Sequence, residues 1–319
     1  METRKLGKTE IEITPILMGT WQAGKRMWTG IDDEVSIRAI RGAVDAGIST
    51  IDTAEIYGEG HSERIVAQAI EGIRDRVVIA SKVFANHLQY DAVIEACERS
   101  LKNLETDYLD LYQIHWPAGA FNSEIVPVSE TMAALNQLKA DGKIRAIGVS
   151  NFSREQLSEA LQYGEIVSLQ PPYSLFWRKV EADAQPLCIE NNITILAYSS
   201  MAQGLLTGKF GPNHQFAEGD HRSANVLFNS ENYPRALAAI EQLKEIAAQY
   251  ECSMAQLSLA WLIAQPLTCA IAGARNMRQA QNNAGAGDVK LSAADIAKID
   301  AIGRTVTDHL DDNPVMWNF

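Results

Sequence analysis

Four side chains in the N-terminal part of the chain are of types that hold or move protons. Asp52 and Tyr57 lie in the segment ISTIDTAEIYG, and Lys82 and His115 end two later apolar segments. A phenol with a pKa of about 10 is a poor acid at neutral pH unless a cation lies beside it. We therefore expect Lys82 to lower the pKa of Tyr57 and to help the phenol donate a proton, while Asp52 holds the ammonium. His115 can hydrogen-bond a substrate carbonyl oxygen.

Each of these residues also has an ordinary structural interpretation. A lysine paired with an aspartate at a strand end is most often a structural ion pair, and His115 fits a hydrogen-bonded core histidine. The functional interpretation rests on convergence, because all four residues fall at neighbouring strand ends or just after one. No metal site is expected, since the sequence contains neither HxH nor HExxH.

The elements that must position these residues are short apolar segments separated by helical patterns. Eight segments predict strands: Ile16–Gly19, Ser49–Asp52, Val77–Lys82, Leu109–His115, Ile144–Ser150, Val167–Gln170, Thr194–Tyr198 and Thr268–Ala272. Strands that alternate with helices form parallel sheets, and eight such units close into an α/β (β/α)8 TIM barrel. An open dinucleotide-binding sheet is the alternative. The GxGxxG fingerprint of such a sheet is absent. Its nearest match begins at Gly58 and Gly60 but has Glu63 where the third glycine is required.

Further patterns lie outside these eight units. Residues 3–6 and 10–13 predict an N-terminal β-hairpin. After the seventh strand a long irregular stretch, 199–232, precedes two helical patterns, and the cap residue Ser292 indicates a C-terminal helix. A loop of this length is commonly a lid or a binding loop. No linker interrupts the chain, so we expect residues 1–319 to form one barrel domain.

Composition restricts the classes of partner and compartment. The 319 residues carry a formal charge of −12 at pH 7, which argues against a nucleic-acid or anionic-membrane partner. The four cysteines form no CxxC pair, as expected for reduced thiols. The N-terminus has no apolar signal core, and no apolar run approaches about 18 residues. We therefore expect a soluble cytoplasmic protein.

Six motifs in order make the chain similar to the aldo-keto reductase family along almost its whole length. They are DTAEIYG at 52–58, VIASKV at 78–83, LDLYQIHWP at 109–117, IRAIGVSNF at 144–152, AYSSMAQGLLTGK at 197–209 and IAGARNMRQAQNN at 271–283. The resemblance implies an NADPH-dependent barrel oxidoreductase that reduces small aldehydes and ketones, often as a monomer. It also implies that the family's catalytic tetrad falls on Asp52, Tyr57, Lys82 and His115.

The resemblance further implies which residues bind the cofactor. They fall beside the nicotinamide, around its carboxamide and ring, over the pyrophosphate, and at the adenosine 2′-phosphate and adenine. In that order they are Gly19, Thr20, Trp21 and Asp52; Ser150, Asn151, Gln170 and Tyr198; Ser199, Ser200, Met201, Gln203, Gly204, Leu205 and Lys209; and Gly273, Ala274, Arg275, Gln279, Asn282 and Asn283. Arg275 favours NADPH over NADH, because a planar guanidinium suits phosphate; the alternative is a solvated arginine near a helix start.

Two departures from the family pattern affect the cofactor loop. The family usually has Pro-Leu where this chain has Ser200-Met201, and proline where Ala272 stands. We expect the loss of both prolines to loosen the loop without removing a catalytic group.

The substrate pocket is the least determined part of the site. We expect Trp21, Tyr57, His115 and Trp116 to wall it, with Trp28, Phe121, Trp177 and the tail 312–319 as further candidates. An aromatic-walled pocket suits small aldehydes, ketoaldehydes and quinones. Two other functions stay open. One is an NADPH-binding regulatory subunit with slow turnover, like the β-subunits of potassium channels, and the other is a metal-dependent barrel hydrolase.

Overall fold

Eight parallel strands close into a barrel in the computed structural model, which describes residues 1–26, 28–311, 313 and 315–316. A two-stranded antiparallel hairpin, β1 (Arg4–Lys5) and β2 (Glu12–Ile13), precedes the barrel. The barrel strands are β3 (Ile16–Gly19), β4 (Thr50–Asp52), β5 (Val78–Val83), β6 (Leu109–Ile114), β7 (Ile144–Ser150), β8 (Ser168–Gln170), β9 (Thr194–Ala197) and β10 (Thr268–Gly273). They lie in chain order, and β10 pairs with β3. The predicted barrel is confirmed, with every strand end within one residue of the prediction.

Helices surround the barrel. They are α1 (Asp33–Asp45), α2 (His61–Ile70), α3 (Tyr90–Leu104), α4 (Val128–Ala140), α5 (Arg154–Ala160), α6 (Gln185–Asn191), α7 (Asn232–Gln249), α8 (Met254–Ile263), α9 (Met277–Ala284) and α10 (Ala293–Thr307). The expected helices after the seventh barrel strand and at the C-terminus are present as α7, α8 and α10. None of the helices in the described residues is both long enough and apolar enough to cross a membrane.

Helix α1 shows how the sequence forms this outer layer. The Asp32 side chain accepts a hydrogen bond from Val35 N and caps the helix N-terminus. Ala39, Ile40, Ala43 and Val44 recur at helical spacing and are buried. Burial of a side chain such as Ile40 contributes about 1.5–3 kcal/mol. The hydrophobic face therefore fixes which side of α1 packs inward.

The barrel interior changes from apolar to polar along its axis. Leu6 and Ile13 of the hairpin pack with Leu17, Leu111 and Leu196 in one buried cluster. Towards the C-terminal strand ends the buried side chains are polar or charged: Asp52, Lys82, Gln113, Ser168 and Gln170. The hairpin covers the apolar end, and the charged groups lie at the end where barrel enzymes carry their active sites.

Candidate active site

Lys82 and Asp52 form a buried ion pair at the C-terminal end of the barrel. Lys82 Nζ lies 2.7 Å from Asp52 Oδ1 and donates a second hydrogen bond, also 2.7 Å, to Thr53 O. The β4–β5 register pairs Asp52 with Ala80, so Lys82, two residues further along, points to the same face. Burial lowers the pKa of Lys82, and Asp52 acts in the opposite direction.

Tyr57 lies beside this pair because two loops meet backbone to backbone. Its phenol oxygen is 3.5 Å from Lys82 Nζ. A Cβ atom added to Gly24 would lie 2.6 Å from the Tyr57 carbonyl carbon, and one added to Gly58, which has φ +65°, would overlap the Gly24 carbonyl. Two glycines thus permit the close approach of the β3–α1 and β4–α2 loops that places the phenol.

The expected direction of the Tyr57 pKa shift is wrong. The sequence argument expected Lys82 to lower this pKa, whereas burial and the Asp52 carboxylate raise the pKa of Tyr57 well above its ordinary value. The physical reason is that Asp52 lies within 2.7 Å of the ammonium and largely cancels its charge. Tyr57 is therefore protonated throughout the neutral pH range, which is the state that a proton donor needs.

His115 follows β6 and presents a neutral imidazole. Burial, together with the Lys82 charge, lowers the pKa of His115 well below its ordinary value. Its Nδ1 atom is buried without a hydrogen-bond partner among the described residues. The ring packs edge-on against Tyr57, with 5.7 Å between the ring centroids. The site thus holds an imidazole that can hydrogen-bond a ligand without carrying a charge.

This neutral histidine predicts how stability depends on pH. Below about pH 6.5 the unfolded chain binds a proton at His115 that the native protein does not bind until its lowered pKa is reached. The free energy of unfolding should therefore fall on acidification from about pH 6.5, by up to about 1.4 kcal/mol per pH unit from this residue. Urea denaturation of the parent, His115→Asn and the exposed control His309→Asn at pH 5 to 7 measures this slope. Only His115→Asn should flatten it, and a slope equal to the parent's would contradict the assignment.

Four residues expected around the nicotinamide form one hydrogen-bond network with the ion pair. Gln170 Nε2 donates to Asp52 Oδ2 at 2.9 Å, and Ser150 Oγ donates to Gln170 O at 2.7 Å. Asn151 Nδ2 donates to Ser150 Oγ at 3.0 Å, and Tyr198 Oη donates to Asn151 Oδ1 at 2.9 Å. The network joins β4, β7, β8 and the residue after β9. Residues from separate sequence motifs therefore lie close together at the barrel mouth.

Three cations form a cluster: Arg222 and Arg275 both lie over the Trp28 ring, and Lys209 and Arg222 both lie over the Phe210 ring. The pKa of Lys209 is lowered, mainly by burial and then by the positive charges of Arg222 and Arg275. The pKa of Arg275 is lowered as well, by burial and then by the charge of Arg222. Asp220, paired with Arg222 at 2.5 Å, offsets only part of this repulsion. Sequence reasoning identified Lys209 and Arg275 and missed Arg222, which stands in the irregular stretch where no motif marks it. In a protein with a formal charge of −12, such a cluster indicates an anion site.

The loop that begins at Ser199 contains several residues with positive φ values. They are Ser199, Ala202, Gln203 and Gly204. Gln203 Nε2 donates to Ser199 Oγ at 2.7 Å. Ser200 Oγ donates to the carbonyl of Ile271 in β10 at 2.6 Å, so the residue that replaces the usual proline ties the loop to the barrel. Leu205 packs in the hydrophobic core and Met201 is partly buried.

The residues expected at the adenosine end lie together after β10. Gln279 Oε1 accepts from Arg275 N at 2.8 Å, which turns the chain into α9. Asn283 Nδ2 donates to Gly273 O at 3.2 Å, whereas Asn282 Nδ2 donates to Ser253 Oγ at 3.0 Å. The two asparagine amides therefore support the loop and α8. Ala274 is buried in the core beside them.

The mouth residues are Gly19, which ends β3, and Thr20 and Trp21, which follow it. A Cβ on Gly19 would lie 2.7 Å from the Ile271 side chain, so glycine permits the close packing of β3 against β10. Thr20 is buried, and its hydroxyl donates to the Asp52 carbonyl at 2.9 Å. Trp21 is partly exposed.

Aromatic rings flank Tyr57 and His115 on both sides. On one side Trp21 packs against Trp28 at 5.2 Å and against His221 at 4.9 Å. On the other side Phe84, which lies 5.7 Å from His115, stacks on Phe121, and Trp116 contacts Phe121 edge-on at 5.2 Å. Sequence reasoning missed Phe84, although it directly follows β5, because the predicted strand ended at Lys82; it missed His221 because that residue stands in the irregular stretch.

Two other candidates do not form a wall that the structure describes. Trp177, which was a candidate equally well explained by ordinary packing, is fully buried in the hydrophobic core. In the tail 312–319, Trp317 and Phe319 lie outside the described residues.

A closed parallel barrel with buried charged groups at its C-terminal strand ends has the architecture of a (β/α)8-barrel enzyme, and comparison with known proteins gives the family. The sequence model of the Aldo/keto reductase family matches residues 15–304. The chain is 40% identical to the aldo-keto reductase YhdN of Bacillus subtilis (strain 168) over 291 residues, which cover 88% of this chain and 86% of that protein. The chain therefore belongs to the aldo/keto reductase family of oxidoreductases.

Two further similarities concern proteins whose names mention a cofactor. The chain is 35% identical over 317 residues to the NADH-specific methylglyoxal reductase of Escherichia coli (strain K12), covering 92% of this chain and 96% of that protein. It superposes with a TM-score of 0.77 on an aldo-keto reductase from Klebsiella pneumoniae in complex with NADPH, at 30% identity and with both chains fully covered.

Proposed function

We propose that the protein reduces small aldehydes and ketones to alcohols with NADPH. The observation that carries the proposal is a protonated Tyr57 whose phenol oxygen lies 3.5 Å from Lys82, next to the neutral His115, at the open end of the barrel. A proton donor, a cation that stabilises the resulting phenolate and an uncharged hydrogen-bonding group are what carbonyl reduction requires of a protein.

The residues present fit a phosphorylated dinucleotide. Lys209, Arg222 and Arg275 repel one another and are only partly offset by Asp220, so a polyphosphate would relieve their repulsion. The glycine-containing loop after Ser199 would allow close backbone approach to the pyrophosphate. At the other end, the amide groups of Asn151 and Gln170 would hold the nicotinamide carboxamide and Tyr198 would stack on its ring. When bound, the reduced nicotinamide supplies the hydride.

The chain's own residues then have distinct tasks. Tyr57 transfers the proton from Oη to the carbonyl oxygen, and the phenolate that remains is stabilised by the Lys82 ammonium at 3.5 Å. Asp52 holds the ammonium in position. His115 orients the carbonyl by a hydrogen bond. The aromatic rings on either side exclude water from the reacting group and favour compact, partly apolar carbonyl compounds.

Substrate class is supported by the walls of the site and by one relative. The Trp21 ring centroid lies 6.4 Å from that of Tyr57. Trp116 contacts Phe121, which stacks on the Phe84 ring beside His115. The Escherichia coli relative is named a methylglyoxal reductase, and a ketoaldehyde of that size suits this mouth. We therefore place small aldehydes and ketoaldehydes first and quinones second.

Absorbance measurements of NADPH oxidation against aldehydes, ketoaldehydes and quinones test this function. We expect repeated turnover, with kcat in the usual range of about 1–10³ s⁻¹. Tight NADPH binding with almost no turnover would instead favour a regulatory subunit on the same fold. Absence of NADPH and NADH binding would contradict both functions.

Arg275 should set the choice between the two nicotinamide cofactors. Arg275→Met should raise the KM for NADPH by about 10–100-fold, because one charge-assisted contact to the 2′-phosphate contributes about 1.5–3 kcal/mol. The KM for NADH should change by no more than about threefold, since NADH lacks that phosphate. The exposed Arg278→Met, three residues further along, removes the same charge and should leave both values near those of the parent. Equal effects of Arg275→Met on NADPH and NADH would place the 2′-phosphate elsewhere.

A further inference from the structure

The buried hydroxyl groups of Thr20 and Thr53 both contact the Ser62 hydroxyl, close to the backbone of Asp52. Ser62 Oγ lies 2.8 Å from Thr20 Oγ1, 2.9 Å from Thr20 O and 3.0 Å from Thr53 Oγ1. Thr20 Oγ1 lies 2.9 Å from the Asp52 carbonyl oxygen. The three residues belong to different parts of the fold: Thr20 follows β3, Thr53 follows β4, and Ser62 lies in the first turn of α2. All three are buried, with exposures of 2% or less.

The number of hydroxyl protons decides which group donates and which accepts in each of these hydrogen bonds. A carbonyl oxygen can only accept, so the single hydroxyl proton of Thr20 is used towards Asp52 O. Thr20 must then accept, through Oγ1 or its own carbonyl, the single proton of Ser62. Ser62 Oγ has no further proton for Thr53, so Thr53 Oγ1 donates to Ser62. The order is therefore Thr53 to Ser62 to Thr20 to the Asp52 carbonyl.

Ser62 also connects this chain of hydroxyl groups to the two residues of the proton-donating site, Tyr57 and Lys82. Its backbone N–H donates to Tyr57 O at 3.1 Å, which holds the turn that carries the phenol. Thr53, its hydroxyl partner, supplies the carbonyl that binds Lys82 Nζ at 2.7 Å. One serine thus contacts the residue of the proton donor and the residue that fixes the ammonium.

We propose that Ser62 is a positioning residue that sets the geometry between Tyr57 and Lys82. The proposal rests on the proposed carbonyl reduction, in which that geometry decides proton transfer. Ser62→Ala deletes the middle of the hydroxyl chain and leaves the Thr53 donor and the Thr20 acceptor unpaired in a buried place. The loops that carry Asp52 and Tyr57 then lose their shared partner, and the phenol shifts relative to the ammonium.

Steady-state kinetics of Ser62→Ala test the proposal. We expect kcat to fall about 10–100-fold, because small displacements of catalytic groups have effects of that size, and the KM for NADPH to stay within about threefold. Ser174→Ala is the matched control, since Ser174 is also buried and its hydroxyl has no partner among the described residues. A kcat for Ser62→Ala within about twofold of the parent overturns the proposal.

A second comparison separates positioning from a general structural role. Added to Tyr57→Phe, the Ser62→Ala change should lower the residual turnover by less than about twofold, because the group that it positions is already absent. A loss as large as in the parent background overturns the proposal. Thr53→Val, which removes the donor to Ser62, should reduce kcat in the same sense and be non-additive with Ser62→Ala. Additive losses would also contradict a connected chain, and Thr53→Val alone decides the matter if Ser62→Ala does not fold.

Crystal structures of the parent and Ser62→Ala provide a readout that needs no turnover. The distance from Tyr57 Oη to Lys82 Nζ should change by about 0.5 Å or more, the tolerance within which catalytic groups must be held. An unchanged distance overturns the positioning role. If the parent itself shows no turnover, the proposed function fails, and this distance still decides the inference about Ser62.

Discussion

Replacing Tyr57 by phenylalanine should reduce kcat by about 10²–10⁴-fold, the usual contribution of a positioned general acid. The phenylalanine ring keeps the packing against His115, whose ring centroid lies 5.7 Å from that of Tyr57. Only the hydroxyl is lost, and in this structure it is the proton-bearing group beside Lys82. Cofactor affinity should stay within about threefold of the parent value, because the dinucleotide is assigned to other side chains.

Two measurements separate the loss of chemistry from a loss of structure. Single-turnover rates with NADPH report the chemical step, and fluorescence titration with NADPH reports binding. The exposed Tyr163→Phe removes one phenol elsewhere and should leave both unchanged. If Tyr57→Phe keeps near-parental turnover, the proton comes from another group, and the assignment of Tyr57 fails.

Replacing Lys82 by methionine should abolish turnover and also destabilise the fold. Lys82 is fully buried, and its ammonium neutralises Asp52, which is 3% exposed. Removing one partner of a buried ion pair leaves an uncompensated charge and costs about 3–5 kcal/mol. Methionine fills most of the lysine side-chain volume, so cavity formation contributes little to this loss.

The double replacement Lys82→Met with Asp52→Asn is the informative partner of that variant. Removing both charges should restore much of the free energy of unfolding, since no buried charge is left unpaired. Turnover should stay at the background level in both proteins, because neither has an ammonium beside Tyr57. Chemical denaturation and steady-state kinetics give the two quantities. A double variant as unstable as Lys82→Met would mean that Asp52 is not the main reason for burying the lysine.

Local patterns were enough to predict most of the elements, and one omission shows their limit. The eight barrel strands have apolar residues bounded by turns and caps, and each was predicted within one residue. The sequences SREQ at Ser153 and SMAQ at Ser253 form capping boxes. Beyond a helix start near Arg275, the extent of helix α9 was not predicted, because MRQAQNNA has few apolar residues and its N-cap is Asn276 rather than serine. Its packing against α1 and α8 decides that it is a helix.

The candidate site was predictable where chemistry coincides with a strand end. Asp52 and Lys82 end or nearly end adjacent strands, and the barrel topology alone brings them together. Arg222, Phe84 and His221 stand in loops, and loop conformations depend on contacts between residues distant in the chain. No periodic signal marks those residues.

The sequence by itself determined the order of the elements, the barrel and the residue types at its mouth, because these follow from periodicity, turns and motif spacing. Only the tertiary structure decided the electrostatic balance among these groups. The pKa of Tyr57 is raised rather than lowered, because the phenol is buried and the Asp52 carboxylate lies near it. The direction of the hydroxyl chain through Ser62 likewise depends on distances of a few ångströms between separate segments. Charge, burial and hydrogen bonding act through space, and the spacing of residues along the chain does not contain those distances.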